Sequence, residues 1–221
     1  MMLSRVPSHF IFDLDGVLLD TEPFYTRATQ TVVERYGKTF DWAIKANMIG
    51  RPALDSARYL VEALELPIPP RKYLEERQQE LERLFPEAEE IAGAEAFTRS
   101  ARAAGIMQGV ATSSERRLFE CKTRRHRAWF SLFETVVCGS DERLQAGKPA
   151  PDIFLLAASE LGAPVRDCLV FEDSPVGVEA ARAAGMQVVA VPDPHLEAGL
   201  LADADLVIEN FCDLRLADLG V

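Results

Sequence analysis

The 221-residue chain carries 24 Lys and Arg against 35 Asp and Glu, a net charge of −11, and 48% hydrophobic residues. That length holds one sizeable core, or a core with a small second domain. The acidic balance excludes a broad basic face for a nucleic-acid polymer, and no apolar run reaches the roughly 18–20 residues of a membrane helix.

MMLSRVPSHF, at the start, lacks the apolar centre of a signal peptide, so a cytoplasmic location is expected. HFIF, residues 9–12, then reads as a buried strand, and it meets Asp13, Leu14, Asp15 and Gly16 directly. Side chains two apart on an extended chain point the same way, so Asp13 and Asp15 can converge. Two such carboxylates are costly unless a cation or a shared proton relieves them. Magnesium, a hard cation that prefers oxygen, is the natural relief. The alternative is a turn in which each Asp bonds local backbone N–H groups.

Residues 21–88 show no strand alternation. Leu54, Ala57, Leu60, Val61 and Leu64 recur at helical spacing, as do Leu74, Leu81, Leu84 and Phe85, with Pro67, Pro69 and Pro70 between the two stretches. An all-helical insertion after the first strand is expected. Arg51, in the helix-breaking GRP, is its candidate substrate contact, against the plainer reading of a solvated surface Arg.

From residue 89 onward strand-like runs alternate with helices: Gly109–Ala111, Glu134–Cys138, Cys168–Phe171, Gln187–Val191 and Leu206–Ile208. Most are continuously apolar, as parallel strands covered on both faces are. Gly105, Gly162 and Gly185 follow the intervening helical segments as stop signals. This predicts an α/β chain, a Rossmann-like doubly wound parallel sheet over residues 1–20 and 89–221 with an inserted helical domain over 21–88. The four cysteines form no CxxC pair and read as buried thiols in a reducing compartment. Lys122–Arg127, KTRRHR, reads as the solvated face of an amphipathic helix. His9, His126 and His195 fall in no recognisable triad and read as structural.

Ligands of open α/β sheets bind at the carboxyl ends of the strands. There the sequence puts Asp13 and Asp15, then Thr112 and Ser113 in GVATSS, then Glu172 and Asp173 in CLVFEDSPVG. Thr112 or Ser113, with backbone N–H groups, suits a phosphoryl oxygen, although Ser113 or Ser114 could equally cap a helix. Asp173 or Ser174 could be a helix cap too, but capping does not explain two consecutive acids. Asp13, Asp15 and Asp173 make a magnesium site, with Glu172 reaching it through water. Lys148, held between Gly147 and Pro149, lies outside any helix interior, and its ammonium suits carboxylates and phosphate. Together these parts equip phosphoryl transfer through an aspartyl phosphate. No GxxxxGK[ST] loop, HExxH motif or GxSxG elbow occurs.

DLDGVLLDTE, GVATSS, GKPAPDIF and FEDSPVGVEAARAAG, in this order, resemble the four motifs of the haloacid dehalogenase superfamily over essentially the whole chain. The resemblance implies a Rossmann-like core with a small helical cap. It implies Asp13 as nucleophile and Asp15 as general acid/base, with Thr112 and Lys148 on the phosphoryl group. It further implies magnesium held by Asp13, the Asp15 carbonyl and Asp173. The stretches TSSERRLFECKTRRHRAWFSLFETVVCGSDE and CLVFEDSPVGVEAARAAGMQVVAVPD are similar to the pseudouridine-5′-phosphatase branch. A monomeric phosphatase of small phosphorylated metabolites is therefore expected. Sugar or polyol phosphatases and phosphomutases of the β-phosphoglucomutase type share the core motifs. A non-catalytic, receiver-like module is the reading from a different class.

Overall fold

The computed structural model describes residues 3–48, 53–193, 196 and 199–221. In chain order, β1 (His9–Phe12) and β2 (Leu19–Asp20) precede four helices, α1 (Glu22–Glu34), α2 (Trp42–Ala46), α3 (Ala53–Ala63) and α4 (Pro70–Leu84). There follow β3 (Glu89–Glu90), α5 (Ala94–Ala103), β4 (Met107–Thr112), α6 (Arg116–Lys122), α7 (Arg127–Phe130) and β5 (Thr135–Cys138). The chain closes with α8 (Asp152–Leu161), β6 (Cys168–Glu172), α9 (Pro175–Ala183), β7 (Gln187–Ala190) and β8 (Leu206–Val207). It divides into two compact units, one running to Asp20 and resuming at Glu89, the other Thr21–Ala88.

In the first unit, six parallel strands lie in the order β5-β4-β1-β6-β7-β8, the open α/β sheet expected. β1 is central, with Phe12 opposite Val110 of β4 and Phe171 of β6. The strand period of two sorts its side chains. Phe10 and Phe12 enter an aromatic layer with Phe97, Phe133, Phe171 and Phe211, in which the Phe12 and Phe171 rings stack 4.5 Å apart. Ile11 faces the other way, into a core of Ala111, Val170 and Val188 with Phe154, Ala157 and Val178 from α8 and α9. Both faces of the sheet are thus covered, which is why its strands read as unbroken apolar runs. Gly162, at φ 66° directly after α8, adopts the left-handed conformation that ends a helix without a Cβ penalty.

β4 starts at Met107, two residues before the apolar run suggests. Gln108 hides this start: it is fully buried, and its side-chain amide donates to the Thr98 carbonyl at 2.9 Å. The β2–β3 pair, antiparallel and two residues per strand, is too short to leave any periodic signal.

The second unit buries Val32, Val33, Ala57, Leu60, Leu64, Leu66 and Tyr73 together. On α4 Tyr73, Leu81 and Leu84 are buried and Leu74 packs against the same core partly buried; the Tyr73 hydroxyl, which the apolar pattern does not show, pairs with Thr29 at 3.0 Å. Arg51 and His195 lie outside the described residues.

Phe97 of α5 packs against Phe10, Phe171 and Phe211. Phe97→Ala is expected to cost about 3–5 kcal/mol, seen as a lower urea midpoint with an unchanged m value. A loss under about 1 kcal/mol would mean the aromatic layer is not a packed core.

Candidate active site

β1 ends at Phe12, two residues short of the end of β4 and one short of the end of β6. The Asp13 N–H donates to the Phe171 carbonyl at 2.9 Å, so Asp13 continues the ladder beside β6. Beyond it the chain curls: the Leu18 and Leu19 N–H groups donate to the Leu14 carbonyl, and Gly16 N–H to that of Leu19. Leu14 is fully buried and anchors this turn between the two acids. Gly16 has φ 76°, and a Cβ there would overlap the Asp173 carboxylate. Glycine is therefore required twice, by the backbone and by the neighbour.

The two aspartates part company. Asp13, 7% exposed, accepts from Lys148 Nζ at 2.5 Å. Asp15 turns to Lys122 Nζ, at 2.6 Å and 2.8 Å from its two oxygens, and accepts from the Ser114 hydroxyl at 3.0 Å. Lys122 was expected on a solvated helix face. Its side chain is fully buried instead, with Nζ also 2.8 Å from Ser114 Oγ. The reason is position: 122 is one turn past buried Phe119 at the end of α6, on its inward face.

Lys148 comes from the loop before α8, which is pinned where Asp152 accepts from the Gln145 and Ala146 N–H groups at 3.0 Å and 3.1 Å. Its ammonium lies between Asp13 and Glu172, 2.5 Å from each, above the Phe154 ring. Glu172, expected to reach a metal through water, has both oxygens engaged by the protein. Oε1 accepts from Lys148, and Oε2 accepts from the Asp173 and Ser174 N–H groups and the Ser174 hydroxyl. Ser174 caps α9 by accepting from the Gly177 N–H at 3.1 Å.

Thr112, fully buried at the end of β4, accepts from the Ser114 N–H at 3.0 Å. Ser113 is exposed, its carbonyl packed where a Cβ on Gly139 would fall. The structure thus gathers Asp13, Lys148, Glu172 and Asp173 on one side and joins Asp15 to the Thr112 loop through Ser114. Sequence reasoning missed Ser114 and Lys122 as partners of Asp15.

The charges are strained. Burial pushes the Asp13 carboxyl up to about 7; Lys148 opposes this, while Glu172 and Asp15 add to it. Burial likewise holds Asp173 well above the usual carboxylate range, with Glu172 and Asp13 adding to the shift. Burial works against the Lys148 ammonium, but the charges of Asp13 and Glu172 prevail and raise it. Two ammonium groups meet these acids, Lys148 at Asp13 and Glu172 and Lys122 at Asp15. Among the described residues no group of three His, Cys, Asp or Glu side chains is placed to hold a metal ion by itself. An open, oxygen-only set suits magnesium, which uses one or two carboxylates and keeps several waters. Asp13 and Asp173 could supply those carboxylates, and the Asp15 carbonyl a third oxygen.

The chain belongs to the haloacid dehalogenase-like hydrolase family, matching it over residues 7–185. It is 44% identical to a Drosophila melanogaster protein named probable pseudouridine-5′-phosphatase, over 98% of this chain and 95% of that one. It is 42% identical to (DL)-glycerol-3-phosphatase 2 of Arabidopsis thaliana, over 97% of this chain and 91% of that one. The crystal structure of a HAD family hydrolase from Deinococcus radiodurans with bound phosphate and sodium superposes with a TM-score of 0.80 at 28% identity, over 97% of both chains.

If Asp13 and Asp173 hold magnesium, the ion at about 100 times its Kd should stabilise the protein by about 2.7 kcal/mol in a thermal melt. Asp173→Asn should remove that gain. An equal gain in the variant would place the cation elsewhere.

Proposed function

We propose that this chain is a magnesium-dependent phosphatase of small phosphate monoesters that works through an aspartyl phosphate on Asp13. The observation that carries this reading is the pair Asp13 and Asp15 at the end of the central strand, each held by its own buried lysine. One carboxylate is then available to attack and the other to move protons, without the two competing for one position.

Asp13 attacks phosphorus, and the bond to the leaving oxygen breaks as Asp15 gives that oxygen its proton. Water then attacks the phosphoryl group and yields a proton to Asp15. The phosphorus–oxygen bond to Asp13 breaks, releasing phosphate and the Asp13 carboxylate. Lys148 stays beside the Asp13 oxygen throughout and offsets charge on the transferring group, while Thr112 supplies a hydroxyl at the neighbouring strand end. Asp13, Asp173 and the Asp15 carbonyl would hold a magnesium ion, which when bound would supply positive charge against that of the phosphoryl group. The helical unit Thr21–Ala88 is read as a cap that selects the substrate, with Arg51 as its candidate contact.

Pseudouridine 5′-phosphate is the substrate we favour, on the similarity to the Drosophila protein. The plant glycerol-3-phosphatase, nearly as similar, supports a polyol phosphate as the second reading. The four cysteines form no disulfide, with Cys121, Cys138 and Cys168 buried and Cys212 exposed, which suits a reducing compartment, and no helix among the described residues is long and apolar enough to cross a membrane. We read the location as cytoplasmic.

Asp13→Asn should lower phosphate release from p-nitrophenyl phosphate by about 10³-fold or more, and retained turnover would remove the mechanism. Across a panel of monoesters, kcat/KM should be highest for pseudouridine 5′-phosphate, by about tenfold over glycerol 3-phosphate. The reverse order would select the polyol reading, and a phosphate moved within a sugar rather than released would mark a mutase.

A further inference from the structure

We propose that Lys122 is a positioning residue for proton transfer: with Ser114 it fixes the Asp15 carboxylate in the place from which it serves the leaving oxygen. The proposal rests on Asp15 being the general acid and base.

The geometry sets Lys122 apart from an ordinary surface lysine. Its side chain has no exposure, whereas the Asp15 carboxylate it holds keeps 28%, so the ammonium grips from the protein side and the acid faces outward. Two contacts to Asp15, at 2.6 Å and 2.8 Å, fix both carboxylate oxygens. The third, to Ser114 Oγ at 2.8 Å, closes a ring, because Ser114 itself donates to Asp15. A single hydrogen bond lets a carboxylate turn about its side-chain bonds; a closed ring does not.

The ring is itself anchored. The Thr123 hydroxyl donates to the Phe119 carbonyl at 2.8 Å, securing the last turn of α6, and the Ser114 N–H donates to Thr112 Oγ1 at 3.0 Å. Thr112 ends β4, so the holder of Asp15 is tied to the strand beside β1. Stability alone does not account for this arrangement. A buried ion pair replaced whole by apolar groups of similar volume is often neutral or stabilising, whereas removing one partner leaves the other charge uncompensated; a methionine would fill the space of the Lys122 stem. What methionine cannot do is hold two carboxylate oxygens. The requirement falls on the proton-transfer residue, where a misplacement of about 1 Å costs on the order of 10²-fold in rate.

The test separates leaving groups. p-Nitrophenolate departs without a proton, whereas an alkoxide needs one, and kcat/KM reports the step in which the leaving group departs. Wild type, Asp15→Ala, Lys122→Met and the double variant are compared, in magnesium buffer, on p-nitrophenyl phosphate and on an alkyl phosphate the wild type turns over. Lys122→Met should lower kcat/KM for the alkyl phosphate about tenfold or more, within the about 10²–10⁴-fold of a general acid, and p-nitrophenyl phosphate less than about threefold. The alkyl phosphate loss should lie in kcat rather than KM. In the Asp15→Ala background, Lys122→Met should add less than about twofold, since it acts through a group already gone. Equal losses on the two esters, or losses that multiply in the double variant, would overturn the proposal. If Asp15→Ala is selective and Lys122→Met is not, the proposal alone falls. If Asp15→Ala is itself unselective, the acid/base reading of Asp15 falls and takes the proposal with it. Should Lys122→Met fail to fold by circular dichroism, Lys122→Gln, which keeps a hydrogen-bonding end, is held to the same outcomes.

Discussion

Everything at this site depends on keeping two mutually repelling carboxylates at the end of one strand. The chain does so by giving each a different buried cation. Lys148 arrives from the loop before α8 and takes Asp13, while Lys122 arrives from α6 and takes Asp15. Leu14, fully buried between them, fixes the turn that separates the two side chains. Removing either lysine would leave an acid facing its neighbour with little to offset the repulsion, in surroundings where charge is poorly screened.

Glu172 ties the second half of the site together. One oxygen orients Lys148 and the other gathers the N–H groups that open α9, so the strand, the lysine and the helix start are set by one carboxylate. This needs very close packing. A Cβ on Gly177 would coincide with the Glu172 carboxylate, and one on Gly16 with that of Asp173. Two glycines therefore let the backbone lie directly against the Asp173 and Glu172 carboxylates. The oxygen-only chemistry of Asp13 and Asp173 is the physical reason to expect a hard cation such as magnesium at this site.

Much of this was legible in the sequence. The apolar runs, glycine stops and acids at strand ends led to a parallel sheet with its chemistry on the carboxyl edge, because strand burial and helix termination leave local marks. Lys122 left a mark that is easily outweighed. It stands in a run of basic residues, which reads as solvated, yet its spacing from Phe119 points inward. Only its contact with Asp15, distant in the chain, decides between the two. Glu172 was legible as an acid at the right strand end but not as a partner of Lys148, since side-chain direction at a strand terminus depends on what the facing loop presents. Gln108 concealed the start of β4 because a buried, hydrogen-bonded amide breaks the apolar pattern without breaking the strand.

The central claim is that Asp13 accepts the phosphoryl group. The most direct measurement is acid quenching within the first turnover of phosphorus-labelled substrate, followed by peptide mapping. Label should appear on the peptide containing Asp13 and decay as phosphate is released, in step with covalent catalysis. Phosphate release with no label on the protein, or with label on another residue, would contradict it.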